Sequence, residues 1–381
     1  MIENQTLEAT PATGRAVLDI RNETRVRIRN VTIDGGRDRL QRRFPIAENG
    51  TPFIDYYPLH AIAIDRSTDV LIENVRIRKA VNLAIVVARS ANVRIRNVVV
   101  EDSGSLDFRG RNNTTGGILI EEGTVDFEIR DCRLERIRGN AIWTHSYTTS
   151  PRNARGAIVN NEIRTVGRDA IQVGHATAIV VAHNLVREVG YPAAIVDVEN
   201  EGYPVGIDTA GNVDASSYRD NRLFEVNGKC FDLDGFHDGN VSCNLCVNTR
   251  ERAAYPHANL AVLFNDSHPE SESRNIVLDG NTFDGMIYGA AFIYGHGHRI
   301  ENNRFVNVNR AGFDGDPAYL RAGFYFAAGL LRPNPPRNII LRRNTVEGYR
   351  MKERCLLFAD EALRAGVRAS DNHCRDTGTP Q

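Results

Sequence analysis

The sequence predicts an all-β fold built by repetition: about a dozen short strand-turn-strand coils stacked into a solenoid. Three observations predict it. A motif of alternating aliphatic residues around an Asn or Asp recurs along the chain, reading VRIRNVTI at 26–33, VLIENVRI at 70–77, VRIRNVVV at 93–100 and FEIRDCRL at 127–134. A second motif, a small residue followed by period-two alternation, comes ahead of the first. Helical periodicity is nearly absent, with one short candidate at ADEALRAG, residues 359–366.

The markers of the first motif are Asn30, Asn74, Asn97, Asp131, Asn161, Asn184, Asn221, Asn244, Asn281, Asn303, Asn344 and Asn372, with shortest spacings of 22 and 23 residues. Longer spacings read as the same unit plus a loop insertion. The Asn shifts by one position between early and late copies. An Asn recurring at one turn predicts a ladder of stacked side-chain amides, because Asn tolerates the left-handed conformation a tight turn needs.

The second motif reads HAIAID (60–65), LAIVVA (83–88), GILIEE (117–122), AIWTHS (141–146), AIQVGH (170–175), GIDTAG (206–211), CFDLDG (230–235), AVLFND (261–266), AFIYGH (291–296) and CLLFAD (355–360). Period-two alternation rich in β-branched residues means strands with one buried face. One coil cannot bury a core by itself, so the coils must stack.

From about Ala16 to Cys374 these repeats resemble the right-handed parallel β-helix superfamily, the pectin-lyase-like fold. The resemblance implies a single-stranded right-handed parallel β-helix of about 12 coils with an Asn ladder and a loop-walled groove. It implies one domain over residues 1–381, with 355–381 as its C-terminal end. That fold hosts lyases, hydrolases, epimerases, tailspikes and adhesins, so function has to come from a site.

Composition narrows the classes. With 47 basic and 48 acidic residues and a net charge of −1, nothing points to nucleic acid or a charged membrane surface. Lys occurs only at Lys79, Lys229 and Lys352. No apolar run is long enough for a membrane-spanning helix, so no membrane insertion is expected. The first residues, MIENQTLEAT, lack the basic-then-apolar pattern of a leader. An extracellular or periplasmic location is expected if a leader has been removed, and a cytoplasmic one stays open. The sequence is silent on whether the chain is a monomer or a trimer. It starts close to the first coil, so a further segment or a partner is expected over that open strand end. Six Cys do not make a disulfide scaffold in a chain of 381 residues. Cys132, Cys246 and Cys374 read as small core residues. Cys243 and Cys246 have zinc-like spacing but no second pair. Cys355 and Cys374, about one coil apart, are candidates for a disulfide.

Loop insertions fall into two sets. One set, 37–59, 101–116, 188–205, 248–259 and 309–322, precedes the small-residue strands; the other, 146–156, 265–274 and 329–337, follows them. Equivalent turns of a stacked coil lie above one another, so these loops are expected to wall a groove whose floor is the outward face of the small-residue strands. Counting from the small residue, the third and fifth positions point outward. The third positions are Ala63, Val86, Leu119, Trp143, Gln172, Asp208, Asp232, Leu263 and Ile293. The fifth are Asp65, Ala88, Glu121, His145, Gly174, Ala210, Asp234, Asn265 and Gly295. The ends of this face are bland and the middle is polar.

Strand spacing puts Asp208 beside Asp232 at about 5 Å, and Asp208 diagonal to Asp234 at about 8 Å. Retaining glycosidases use carboxyls about 5–5.5 Å apart and inverting ones about 6.5–9.5 Å. Three neighbouring carboxylates also repel, which is expected to raise at least one pKa and make a general acid. The catalytic candidates are therefore Asp208, Asp232 and Asp234, with His237 at the strand end. The substrate-binding candidates are Trp143 as a platform for a sugar ring, with Glu121, His145, Gln172, His175, Asn265 and His296.

The Gly-His-Gly within YGHGH, 294–298, resembles the polygalacturonase family, which also uses clustered Asp. That family's Asn-Thr-Asp and Arg-Ile-Lys motifs are missing, so its residue roles are not carried over. A calcium-dependent polysaccharide lyase or epimerase of this fold is an alternative in which Asp208, Asp232 and Asp234 hold Ca²⁺. A non-catalytic carbohydrate-binding β-helix is a third reading. An acidic floor with no Arg in its middle, and Lys229 as the one nearby Lys, favours a neutral poly- or oligosaccharide and cofactor-free hydrolysis or transglycosylation.

Overall fold

The computed structural model describes residues 1–47, 50–112, 115–198, 204–266, 271–329 and 333–378. Parts of the loops 37–59, 101–116, 188–205, 265–274 and 329–337 lie outside the described residues. Contacts gather into two compact units, residues 1–202 and 203–381. Each is a stack of parallel coils.

In residues 1–202 the strand Ile118–Glu121 pairs in parallel with Ile85–Ala88 on one side and Ile142–His145 on the other. A second stack contains Ala91–Arg96, Val125–Arg130 and Asn153–Val159, and a third contains Val99–Glu101, Arg133–Ile137 and Glu162–Val166. In residues 203–381 the strand Lys229–Asp234 pairs with Val262–Asn265, followed in order by Ala291–Ile293, Phe324–Phe326 and Leu356–Phe358. Aliphatic and aromatic side chains at alternate positions fill the space between the stacks. Phe283 lies over Phe305 at 4.8 Å between centroids, and Phe231 meets Phe283 edge-on at 6.1 Å.

The small residue of the second motif has a steric cause. At the corner entering each strand two successive residues are buried, as in Ala141 with Ile142, Cys230 with Phe231 and Ala261 with Val262. The first of the two meets the next coil's backbone. A Cβ on Gly117 would lie 2.3 Å from the Ala141 carbonyl oxygen, and one on Gly206 would lie 2.3 Å from a Leu223 methyl.

The one-position shift of the Asn markers is two different ladders. In the early coils the left-handed residue itself is the Asn. Asn30, Asn74 and Asn97 have φ near 53, 54 and 50°, and their exposed amides pass hydrogen bonds from Asn97 to Asn74 to Asn30 to Asn4. The next residue, Val31, Val75, Val98 or Cys132, is buried and apolar. From Asn161 onward the Asn has moved into that buried slot, and Asn160, His183, Asp220, Cys243, Gly280, Asn302, Arg343 and Asp371 take the left-handed position. The Asn244 side chain donates to Asn281 Oδ1 (2.9 Å), that of Asn281 to Asn303 (2.9 Å) and that of Asn303 to Asn344 (3.0 Å). Each also donates to a carbonyl inside the coil, as Asn281 does to Val241 at 2.9 Å. This satisfies buried backbone groups that the turn leaves over.

Two disulfides join coil segments, Cys230–Cys246 and Cys355–Cys374. The second was expected. The first corrects the reading of Cys246 as a plain core residue: its inward side chain meets Cys230, which is inward at the corner. The candidate helix at 359–366 is a single 3₁₀ segment, Glu361–Gly366, started by Asp360, whose carboxylate accepts the Ala362 N–H at 2.9 Å.

Candidate functional site

The candidate residues fall into two groups, one in each unit. In residues 1–202 the outward row runs Ala63, Val86, Leu119, Trp143, Gln172 in register, as the third positions predict. It is not an open floor. The segment before His60 folds back over it, and Ile54 and Phe53 pack onto Ala63, Val86, Leu119 and Trp143. The Phe53 ring meets Trp143 at 5.0 Å and His145 at 5.1 Å, both edge-on. Trp143 is 7% exposed. This corrects its reading as an open sugar platform: the segment around Phe53 covers it.

Glu121 is also corrected from the substrate-binding set. Its carboxylate is fully buried and accepts the Ile54 N–H (2.6 Å) and the Phe53 N–H (3.1 Å), the first free donors of the short helix Phe53–Tyr56. Burial pushes its carboxyl above the usual range, and His145 alongside at 3.9 Å opposes that. A second clamp runs from Asp65 through Arg89 (2.7 Å) to Asp55 (3.0 Å) in the same helix. Asp55, Arg89, Arg66 and Glu122 line a cavity of about 800 Å³ beside it.

Gln172 accepts from the Asn140 side chain at 3.0 Å and is half-buried. His175 is buried at a left-handed position, φ 42°. Among the described residues, the group of three ligating side chains with donor atoms within 4.8 Å of one another is Glu121, Glu122 and His145. Asp208, Asp232 and Asp234 are not brought together as closely as that.

In residues 203–381 the outward row is Asp208, Asp232, Leu263, Phe292, Tyr325. Asp208 and Asp232 are direct register partners on adjacent strands, 8% and 7% exposed. Asp234 pairs in register with Asn265 in the next outward row. The end of the row differs from expectation by one residue. Ala290 takes the corner slot, so Phe292 faces out in place of Ile293 and Tyr294 in place of Gly295. Tyr294 is engaged with the expected residues. Its hydroxyl donates to Asn265 Oδ1 and accepts the Asp266 N–H at 2.9 Å, and burial raises its phenol well above the ordinary range. Tyr319 stacks on Phe292 at 5.1 Å and packs against Tyr325.

His237 lies past the Gly235 turn, in the two-residue strand Phe236–His237, with Nδ1 at 3.0 Å from the Gly235 carbonyl and Nε2 at 4.0 Å from Asp214. His296 belongs to an edge network with Asn334 at 3.3 Å and Glu272 at 3.8 Å.

The residue missed by reading third and fifth positions is Lys229. Its ammonium lies 2.5 Å from Asp232 Oδ2, and the two side chains are 7% and 9% exposed. The floor is therefore not devoid of basic groups, and the repulsion expected among its carboxylates meets an internal counter-charge. Asp232 Oδ1 is buried with no hydrogen-bond partner among the described residues. The available signal was the residue just ahead of each small slot, which faces out because the next two face in. At 229 that residue is one of three Lys in the chain.

Comparison with known proteins gives a consistent picture of the fold. A sequence profile described as the right handed beta helix region matches residues 18–223, more than half of the chain. A search of curated proteins returns no match. Among solved structures, a GH136 lacto-N-biosidase from Eubacterium ramulus superposes with a TM-score of 0.53 at 12% identity, over 98% of this chain and 63% of that one. Its selenomethionine form gives 0.55 at 12% identity, over 94% of this chain and 59% of that one. An alginate lyase in complex with G6 gives 0.53 at 12% identity, over 88% and 71%. The chain thus spans less than two thirds of the lacto-N-biosidase.

Proposed function

The chain belongs to the right-handed β-helix family, and from that premise we propose that it is a carbohydrate-active enzyme, a glycoside hydrolase or transglycosidase acting on a poly- or oligosaccharide. The observation that carries the proposal is the register pair Asp208–Asp232, with Asp232 anchored to Lys229. Side chains opposite each other on adjacent strands are about 5 Å apart, the separation that retaining glycosidases use.

In this reading Asp208 protonates the glycosidic oxygen as the bond from that oxygen to the anomeric carbon breaks. Asp232 Oδ1 forms the new bond to that carbon. A water molecule, or a sugar hydroxyl in transglycosylation, then gives its proton to Asp208 and displaces Asp232, which returns both residues to their starting states. Asp234 and Asn265, half-buried in the adjacent row, would contact substrate hydroxyls, with the buried Tyr294 holding Asn265 in place. Glycan-acting names among structures of similar fold accord with this substrate class.

Lys229 favours a second reading, a polysaccharide lyase, because a buried Lys can remove the proton α to a uronate carboxyl. Incubation with neutral and acidic polysaccharides, with and without a chelator, separates the two. New reducing ends without ultraviolet-absorbing unsaturated product are expected. Unsaturated product would transfer the assignment to a lyase, and binding without turnover would make the protein a carbohydrate-binding β-helix. As a proposal, the location is extracellular or periplasmic, where polymeric glycans are met.

A further inference from the structure

Lys229 does not sit where simple alternation would put it. In a regular strand it would share the inward face with Phe231 and Leu233, both fully buried in the core. Instead the Cys230 and Phe231 N–H groups both donate to the Ala261 carbonyl, at 3.1 and 3.0 Å. Two successive donors on one acceptor mark a local bulge, and bulges re-aim side chains. Cys230 and Phe231 both point inward, and Lys229 and Asp232 come out on the same side, 2.5 Å apart. The Cys230–Cys246 disulfide holds the bulged residue to the far side of the coil.

We propose that Lys229 is the positioning residue of the reaction centre: turned outward by the bulge at Cys230, it grips Asp232 Oδ2 and leaves Oδ1 as the oxygen that meets the anomeric carbon. This rests on the hydrolase reading above. Asp232 has register neighbours on both sides, Asp208 and Leu263, with Asp234 and Tyr294 in the adjacent outward row. Of these, Asp208 is the second carboxylate that the reaction needs, and it lies on the strand whose Val205 is the register partner of Lys229. Lys229 is bonded to Asp232, so the proposal assigns it to the nucleophile.

That division is testable with two leaving groups. A 4-nitrophenyl glycoside departs without a general acid, whereas a glucan chain needs one. The experiment measures kcat and KM of purified wild type, Lys229→Met, Lys229→Arg and Asp208→Asn on 4-nitrophenyl glycosides and on neutral glucans, after melting curves confirm folding. Lys229→Met is expected to lower kcat on the order of 10²-fold on both substrates, with KM changed less than about threefold. Lys229→Arg, which keeps the charge and guards against a Met variant that fails to fold, is expected to recover part of kcat. Asp208→Asn is expected to lose glucan cleavage and, on the nitrophenyl substrate, to give a burst of about one 4-nitrophenol per enzyme followed by slow turnover, because the second step still needs Asp208 as base. Wild-type kcat in Lys229→Met on the nitrophenyl substrate would overturn the positioning role alone. No turnover by the wild type on either substrate class would remove the hydrolase reading and this inference with it.

Discussion

In residues 1–202 the outward row Ala63, Val86, Leu119, Trp143 is roofed by Ile54 and Phe53, whereas in residues 203–381 the corresponding row begins with Asp208 and Asp232. Strand, corner and parity are the same, so the difference comes from the side chains. An apolar row gains free energy when a loop covers it, at about 25 cal/mol per Å² of apolar surface removed from water. Glu121 then serves as the anchor for the covering helix. Asp208 and Asp232 are as little exposed as Trp143, but a row of carboxylates is not covered by apolar side chains without stranding charge, and its counter-charge, Lys229, comes from within the strand. The lesson is that the groove floor of a stacked coil is not by itself a site, and the chemistry of each row decides.

The comparison can be broken or sharpened in order of expected effect. Asp232→Asn should lower turnover on the order of 10³-fold while the protein keeps its fold. Trp143→Ala should do the opposite: it opens a cavity under Phe53 and costs about 3–5 kcal/mol of stability in denaturant melts, with kcat changed little. If Trp143→Ala abolishes turnover in a folded protein, the roofed floor belongs to the site after all. Replacing Cys230 and Cys246 together by Ser and Ala should cost about 3 kcal/mol and also lower activity, because the bulge that aims Lys229 loses its tie. Unchanged activity would detach the disulfide from the site.

The pH response should be shared by both units. His60 and His298 are fully buried, and burial lowers each imidazole to about 3. Unfolded His takes a proton near 6.5, so the stability present above that pH is lost as pH falls toward 3. Each His contributes a slope of about 1.4 kcal/mol per pH unit across that window. His298→Gln should remove one such slope from urea melts recorded at pH 6, 5 and 4, and an unchanged slope would contradict its neutral burial.

The ladders give the smallest contrast. Asn281→Ala leaves buried partners unsatisfied, among them the Asn244 N–H and the Val241 carbonyl, and should cost about 1–3 kcal/mol. Asn74→Gly, exposed and left-handed, should change stability by less than about 0.5 kcal/mol.

Much of this was legible because a repeat fixes parity. The third-position rows Ala63 to Gln172 and Asp208 to Leu263 each hold in register, and the slip of the Asn markers was the trace of two ladders. The row failed at Ile293 because two alanines, Ala290 and Ala291, compete for one small slot. Lys229 was noticed as the one nearby Lys, but its outward place on the floor escaped a reading that began at the small residue and assumed simple alternation, since the corner places two residues inward. The roof over Trp143 could not be read either, because Phe53 reaches it by tertiary packing across 90 residues of sequence, without periodic signature. The pairing of Cys230 with Cys246 was hidden for the same reason as Lys229: the corner turns Cys230 inward.

The central claim is that glycosidic chemistry resides at Asp208 and Asp232 and not on the roofed floor of residues 1–202. The most direct measurement is reducing-end release from a panel of neutral polysaccharides by wild type, Asp232→Asn and Glu121→Gln, each confirmed folded by its melting curve. The account predicts release by wild type and by Glu121→Gln, and loss in Asp232→Asn. Full release by Asp232→Asn, with loss in Glu121→Gln, would contradict it.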